Sequence, residues 1–159
     1  MKKILVLLFF TVLSFQTPLV NAFELEDFNG SPINLDDKIG KGKWTLVMFW
    51  AHDCGVCRAE FPAISKFHSD RKDVDVVGVS IDGDTNKHLA QSFLDSTPAS
   101  FPSYITSLSL VSFNYQALTE EDFRGTPTFL LFTPDGELLG NNPGKLSVTA
   151  LEKFIDDNS

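Results

Sequence analysis

The stretch WTLVMFWAHDCGVCRAEFP, residues 44–62, decides how this chain folds and where its chemistry lies. Residues 44–50 form a continuous apolar run, which predicts a buried β-strand. The only two cysteines of the chain, Cys54 and Cys57, follow within a few residues. Their spacing is compatible with a redox centre, with half of a metal site, or with a structural disulfide. The third interpretation is the weakest, because closing so short a loop removes little entropy from the unfolded chain.

A helix is predicted from the cysteine segment to about His68. Apolar side chains recur there at helical spacing, and the predicted buried residues are Ala59, Phe61, Ile64 and Phe67. Pro62 lies inside this pattern, so we expect it to kink the helix or to restart it.

The junction between the strand and the helix favours redox chemistry. Cys54 should lie at the N-terminus of the helix, where free N–H groups and the helix dipole stabilise a thiolate. We therefore expect its pKa to lie below the ordinary thiol value of about 8.5. Cys57 lies one turn deeper and could attack a mixed disulfide at Cys54. The spacing thus supplies the exposed and the sheltered sulfur that disulfide exchange needs.

Glu60 is the acidic residue that the helical spacing associates with this pair. It follows Cys57 by three residues, which places both on one face of the helix. It lies about 240° around the helix from Cys54, so it serves Cys57 more naturally. If Glu60 is buried, its pKa rises and it could exchange a proton with Cys57 near neutral pH. The alternative is an ordinary solvated glutamate, and the spacing leaves both open.

The rest of the chain predicts further strands. Residues 23–35 predict a β-hairpin that turns at Asn29-Gly30, and residues 74–82 predict a second buried strand. Residues 128–140 predict a strand, a Pro-Asp-Gly turn and another strand. The antiparallel hairpins and the intervening β-α-β unit together indicate a mixed sheet.

Helices are predicted between and after these strands. Asp84 is the predicted cap of a helix that ends at about Leu94, with Leu89, Phe93 and Leu94 facing inward. Residues 96–125 are less regular and contain one predicted short helix, SLSLVSFNYQAL.

The last helix completes the predicted architecture. Ser147 is its expected cap, it runs through Ile155, and its inward residues are Leu151, Phe154 and Ile155. Strands that alternate with helices predict an α/β fold in three layers, with one domain over residues 23–159.

The N-terminal segment, residues 1–22, is typical of a secretory signal peptide. Two lysines precede an apolar run over residues 4–15, Pro18 breaks any helix, and small residues end at Ala22. The alternative is an uncleaved membrane anchor, for which the run is short against the roughly 20 residues of a membrane span. No cysteine precedes Cys54, so a lipid anchor on a cysteine near the signal is not expected. We expect an exported, periplasmic or otherwise extracytoplasmic protein.

The charge balance argues against nucleic-acid binding. Removing residues 1–22 removes two lysines and no acids, which leaves 11 basic and 21 acidic side chains and a net charge of −10. Nucleic acids reward clustered Lys and Arg, so no nucleic-acid partner is expected. Export also brings the two cysteines into oxidising surroundings, where they can pair.

The segment GTPTF, residues 125–129, supplies the second notable feature. Pro127 precedes an apolar strand, where proline is commonly an ordinary strand-starting residue. A cis peptide bond is the alternative, but only about one in twenty X–Pro bonds in folded proteins is cis. The residues alone therefore favour trans.

These motifs together resemble the thioredoxin superfamily. Trp50-Ala51-x-x-Cys54-Gly55-x-Cys57, then Gly125-Thr126-Pro127-Thr128, match its pattern in the expected order. More narrowly, the chain resembles the exported TlpA/ResA/DsbE-like thiol–disulfide oxidoreductases. FELEDFNGSPINL resembles their N-terminal hairpin, Cys57-x-x-Glu60-Phe61-Pro62 their C-x-x-E-x-P signature, and FRGTPTFLLFTPDGEL their cis-proline strand and hairpin.

The resemblance implies a thioredoxin-like α/β/α sandwich with a mixed central sheet and an N-terminal β-hairpin. It implies that Cys54 is the nucleophile, Cys57 the resolving thiol, and Glu60 the buried acid that tunes them. Pro127 would be cis, and Trp50, Thr126 and Pro127 would contribute to substrate binding. The redox-active disulfide would be the only cofactor.

The implied function is disulfide exchange with exported protein thiols, with reduction as the favoured direction. A membrane-embedded electron donor would supply the electrons, the protein would be a monomer, and cytochrome c maturation would be one task. The chain departs from thioredoxin at Asp53, where thioredoxin has a second Trp, and an acid beside Cys54 opposes its thiolate.

A metal carrier is the alternative from another class. His52, Cys54 and Cys57 could supply soft ligands for copper, but zinc would need a fourth ligand. His68 and His88 have no spacing that points to this site. A peroxidase is disfavoured, because Ala51 stands where the nucleophile of peroxiredoxins is preceded by Thr.

Overall fold

The computed structural model describes residues 23–159, which form seven strands and four α-helices. The strands are β1 (Glu24–Glu26), β2 (Pro32–Asn34), β3 (Trp44–Trp50), β4 (Val74–Ser80), β5 (Ser103–Ile105), β6 (Thr128–Phe132) and β7 (Leu138–Pro143). The helices are α1 (Gly55–Asp70), α2 (Gly83–Ser96), α3 (Leu108–Thr119) and α4 (Val148–Asp157). A short 3-10 helix covers Leu35–Asp37.

All seven strands belong to one mixed sheet, in the order β2-β1-β5-β4-β3-β6-β7. The central strands β3, β4 and β5 are parallel to one another. Strand β6 pairs antiparallel with β3, and the two outer hairpins, β1–β2 and β6–β7, are also antiparallel. The predicted mixed sheet and N-terminal hairpin are therefore confirmed.

Helices cover both faces of the sheet and make the fold a three-layer α/β/α sandwich, as predicted. One face buries a cluster that includes Phe61 and Phe67 of α1, Phe93 of α2 and Ile155 of α4. The opposite face buries a second cluster, which includes Tyr115 of α3. Strand β3 is buried along its whole length because β4 and β6 flank it within the sheet and helices cover both of its faces.

The helix predictions were partly wrong about which residues face inward. Ala59 is exposed, and Cys57 and Glu60 share the buried side of α1 with Phe61, Ile64 and Phe67. Leu89 and Phe154 are 38% and 41% exposed, because α2 and α4 each pack against the sheet along a narrow stripe. Ala90 takes the inward position on α2 that the pattern had assigned to Leu89.

Two local predictions also need correction. Helix α1 continues through Pro62 as one element, so Pro62 does not restart it. Asp82, not Asp84, occupies the N-cap position of α2. The predicted Ser147 cap of α4 is confirmed, since its side chain accepts a hydrogen bond from the N–H of Ala150 at 3.3 Å.

The predicted signal segment, residues 1–22, lies outside the described residues. Within residues 23–159, no helix combines the length and the apolar composition that crossing a bilayer requires.

Candidate active site

The two cysteines lie where β3 passes into α1 at the carboxyl edge of the parallel strands. After Trp50 the chain makes a tight turn in which Cys54 N–H donates to the carbonyl of Ala51 at 3.2 Å. Cys54 is the N-cap of α1, and its Sγ accepts a hydrogen bond from the N–H of Cys57 at 3.1 Å. The predicted place of Cys54 at the helix N-terminus is therefore confirmed.

A disulfide joins Cys54 to Cys57, and its two sulfurs differ in access. Cys57 is fully buried in the core, whereas Cys54 is partly exposed. An incoming thiolate or disulfide can therefore reach Cys54 and not Cys57. The N–H groups and dipole of α1 would stabilise a thiolate on Cys54 after the bond is broken.

Glu60 lies one helical turn after Cys57 and is 5% exposed, so the alternative of a solvated glutamate is wrong. Its Oε1 accepts a hydrogen bond from the N–H of Leu146 at 2.8 Å. Its Oε2 is buried and has no hydrogen-bond partner among residues 23–159. Burial raises the pKa of the Glu60 carboxyl, although the Leu146 hydrogen bond and the charge of Lys145 act in the opposite direction. Glu60 is thus a buried acid that can hold a proton.

The prediction that Trp50 binds substrate is wrong, because its side chain lies away from any surface that a substrate could reach. Its side chain is fully buried, stacks on Phe93 at 4.7 Å between ring centroids, and meets Phe61 edge-on at 5.5 Å. Trp50 therefore supports the active-site turn from below and does not bind substrate directly. The alternation of a β-strand explains this orientation, since neighbouring residues point to opposite helix layers.

The peptide bond between Thr126 and Pro127 is cis. Pro127 immediately precedes β6, whose first residue, Thr128, pairs with Phe49 near the end of β3. The Thr126–Pro127 segment therefore lies at the same edge of the sheet as the cysteines. Substrate contact by Thr126 stays a prediction.

One contact at this edge was not predicted from the sequence. The side chain of Asp82, two residues after the end of β4, binds both the backbone and the ring of His52. The predicted sheet topology could have indicated this contact, because the residues that follow two adjacent parallel strands, such as β3 and β4, lie at the same edge of the sheet. The sequence alone indicates only a metal-ligand role for His52.

The metal alternative receives no support from the arrangement of donor groups. Nowhere within residues 23–159 do three or more His, Cys, Asp or Glu side chains converge as a metal site would require. The Nδ1 of His52 faces Asp82, and His68 contacts Ser100. The three proposed ligands are therefore not brought together with a fourth.

Comparison with known proteins shows that the chain is similar to proteins named as thiol–disulfide oxidoreductases. The model of the AhpC/TSA family matches residues 18–139. The chain is 26% identical over 134 residues to the thiol-disulfide oxidoreductase ResA of Halalkalibacterium halodurans, which covers 84% of this chain and 72% of that protein. It is 27% identical over 134 residues to ResA of Bacillus subtilis, which covers 84% of this chain and 70% of the relative.

A solved structure agrees with the sequence relatives. A protein from Chlorobium tepidum that is assigned as a thiol:disulfide interchange protein DsbE superposes with a TM-score of 0.70 at 28% identity, over 85% of this chain and 91% of that one. The geometry and the relatives thus point to the same class of chemistry.

Proposed function

The chain belongs to the AhpC/TSA family and is a thioredoxin-like thiol–disulfide oxidoreductase, and we propose that it reduces disulfides in exported proteins through Cys54 and Cys57. The observation that carries this proposal is the unequal access of the two sulfurs. Cys54 is partly exposed at a helix N-terminus, while Cys57 lies buried one turn deeper.

The proposed reaction proceeds in two exchanges. The thiolate of Cys54 attacks one sulfur of a client disulfide, forming a mixed disulfide and releasing the first client thiolate. Cys57 then loses its proton and attacks the sulfur of Cys54, which releases the second client thiolate. The client disulfide gains two electrons, its two released thiolates take protons from solvent according to their pKa values, and the enzyme is left with the Cys54–Cys57 disulfide.

Glu60 is proposed to accept the proton that Cys57 loses in the second exchange. Its burial and raised pKa support this role, because a base with a pKa nearer neutrality transfers protons efficiently at neutral pH. The carboxyl also lies on the same helical face as Cys57.

The client is proposed to bind at the edge formed by the cysteine turn and the segment Thr126–Pro127. The backbone of Thr126 would pair with an extended client peptide, as strand addition requires. The position of this segment directly before β6, beside β3, supports the proposal.

Each turnover leaves the enzyme oxidised, so it must be reduced before it can act again. We therefore propose that a membrane-embedded donor supplies electrons to it on the extracytoplasmic side. The export signal expected in residues 1–22 would deliver the protein there as a monomer. Haem-binding cysteines in cytochrome c maturation are the proposed clients, since they must be reduced before haem attachment.

Single cysteine variants test the exchange. We expect Cys54→Ser to lower the rate of client disulfide reduction by at least about a hundredfold, because it removes the attacking thiolate. Cys57→Ser should instead accumulate a mixed disulfide between Cys54 and the client, visible on non-reducing gels. Reduction of the client by Cys54→Ser at the wild-type rate would refute the proposal.

The redox potential tests the direction of exchange. Equilibration of residues 23–159 with dithiothreitol or glutathione buffers should give a value near the roughly −270 mV of thioredoxin. A value near the roughly −120 mV of strong oxidants would make the protein a disulfide donor instead.

A further inference from the structure

Asp82 is a buried carboxylate whose oxygens are bound by the active-site turn. Its side chain is 4% exposed. Oδ2 accepts hydrogen bonds from the hydroxyl of Ser80 at 2.7 Å and from the backbone N–H of His52 at 3.0 Å. Oδ1 lies 2.5 Å from Nδ1 of His52. Since a carboxylate only accepts hydrogen bonds, Nδ1 of His52 carries the hydrogen of this contact.

Asp82 is itself held firmly by the neighbouring strands. It lies two residues after the end of β4 and forms a β-bridge with Ser107. The next residue, Gly83, donates its N–H to the carbonyl of Thr106 at 3.0 Å. Asp82 therefore provides a fixed point beside the active site.

The Asp82 carboxylate binds His52 instead of capping its own helix, α2. It occupies the N-cap position of α2, where an Asp side chain commonly accepts a hydrogen bond from the first turn. Its carboxylate makes no capping bond to the described first turn of α2 and binds His52 and Ser80 instead. The carboxylate thus stabilises the loop after β3 rather than its own helix.

His52 connects Asp82 to Cys54 through the turn that precedes α1. It is one of the two central residues of the turn closed between the carbonyl of Ala51 and the N–H of Cys54. Both its backbone and its ring bind Asp82, so the turn cannot rotate without breaking two hydrogen bonds. In the oxidised protein the disulfide also restrains Cys54, but reduction removes that covalent restraint.

We propose that Asp82 and His52 form a positioning pair that holds Cys54 at the N-terminus of α1 in the reduced enzyme, a role that rests on the proposed function. In the oxidised structure the Cys54 sulfur at this position accepts a hydrogen bond from the N–H of Cys57 at 3.1 Å, a contact that would also stabilise its thiolate. The pair therefore sets how fast Cys54 attacks a disulfide. His52 acts through its hydrogen bond to Asp82 and not by exchanging protons with the substrate.

The test measures alkylation of Cys54 by iodoacetamide at pH 7 in Cys57→Ser protein, where Cys54 is the only thiol. We expect His52→Ala to slow alkylation roughly fivefold, the effect of losing one hydrogen bond of typical net strength. His52→Asn should react within about twofold of the parent, because Nδ2 of Asn leaves the same branching carbon as Nδ1 of His and can bind Asp82. His88→Ala, on the exposed side of α2, is the matched control and should change nothing.

A double-mutant cycle separates a working pair from two independent residues. Asp82→Ala alone and the double variant His52→Ala/Asp82→Ala should be slowed equally, by at least roughly fivefold, because Asp82→Ala already removes the ring contact that His52→Ala breaks. If Asp82→Ala does not fold, His52→Ala and His52→Asn decide the question by themselves.

Three results would overturn the proposal. They are an unchanged rate in His52→Ala, a failure of His52→Asn to restore the rate, and slowing in the double variant equal to the product of the single effects. None depends on client reduction. A failure of the proposed function would appear separately, as wild-type protein that does not reduce a protein disulfide.

Discussion

The two ends of one disulfide lie in contrasting surroundings. Cys57 is completely buried, with the buried Glu60 one turn away on the same helix face. Cys54 lies partly exposed, preceded by the exposed Asp53 and by His52, whose side chain is 24% exposed. Core packing therefore determines the environment of one sulfur, and a hydrogen-bonded turn that of the other.

The surroundings of Cys54 and of Cys57 suit different steps of disulfide exchange. The exposed side must meet many partners, so its reactivity depends on charges and on the geometry of the turn. The buried side must react with one partner only, the sulfur of Cys54, so its reactivity depends on proton transfer in a dry environment. Apart from the two cysteines themselves, residues on the buried side should consequently show the larger effects on substitution.

The largest effect is expected below the disulfide, at Trp50. Trp50→Ala should lower the free energy of unfolding by about 3–5 kcal/mol, because it leaves a cavity between Phe61 and Phe93. Urea unfolding of the oxidised protein measures this loss. Asp53→Ala, on the exposed side, is the control and should change stability by less than about 0.5 kcal/mol. Equal effects of the two substitutions would contradict the division into a buried and an exposed side.

An intermediate effect is expected at Glu60, in the rate of the second exchange. Glu60→Gln should slow release of the client from the mixed disulfide by roughly tenfold or more at pH 7, because it removes the base that accepts the Cys57 proton. In the wild type this rate should rise with pH as Glu60 ionises, and the variant should lack that step. Stopped-flow measurement of client release from pH 5 to 9 tests both. Identical pH profiles would show that Glu60 does not titrate in this reaction.

Glu60 should also leave a signature in stability. Its pKa is raised in the folded protein above the ordinary value of 4.5, so the folded state binds this proton more tightly than the unfolded state. The penalty of burying the charge is present at neutral pH and disappears as the pH falls through the folded pKa. The wild type should therefore become more stable relative to Glu60→Gln as the pH falls from 7 to 4.5, because only the wild type has the titrating carboxyl. Thermal unfolding of both oxidised proteins across this range measures the difference.

The smallest effect is expected on the exposed side, at Asp53. Asp53→Asn should increase alkylation of Cys54 by about twofold, because it removes a negative charge that opposes the thiolate in a solvated, screened setting. Asp95→Asn, on the exposed surface of α2, is the matched control for the same change in net charge. A slower reaction in Asp53→Asn would mean that Asp53 supports the turn rather than opposing the thiolate.

The order of elements was largely predictable because the patterns are strong. The apolar run of β3, the turn at Asn29-Gly30 and the Ser147 cap each have a local cause, and each is observed. The sequence does not predict strand β5, because its three residues, unlike those of the equally short β1 and β2, are not joined to a neighbouring strand by a tight turn. The inward assignments of Leu89 and Phe154 failed because apolar residues at helical spacing also occur on exposed faces.

The sequence by itself determined the spacing of Cys54 and Cys57, their place at the start of a helix, and the helical face that Cys57 shares with Glu60. These are local relations, set by the 3.6-residue period of a helix and by the alternation of a strand. Only the tertiary structure decided that Glu60 is buried, that Trp50 is inaccessible, and that Asp82 binds His52. These features join segments distant in the chain, such as residues 60 and 146 or 52 and 82, and packing of the whole sheet is what brings them within hydrogen-bonding distance.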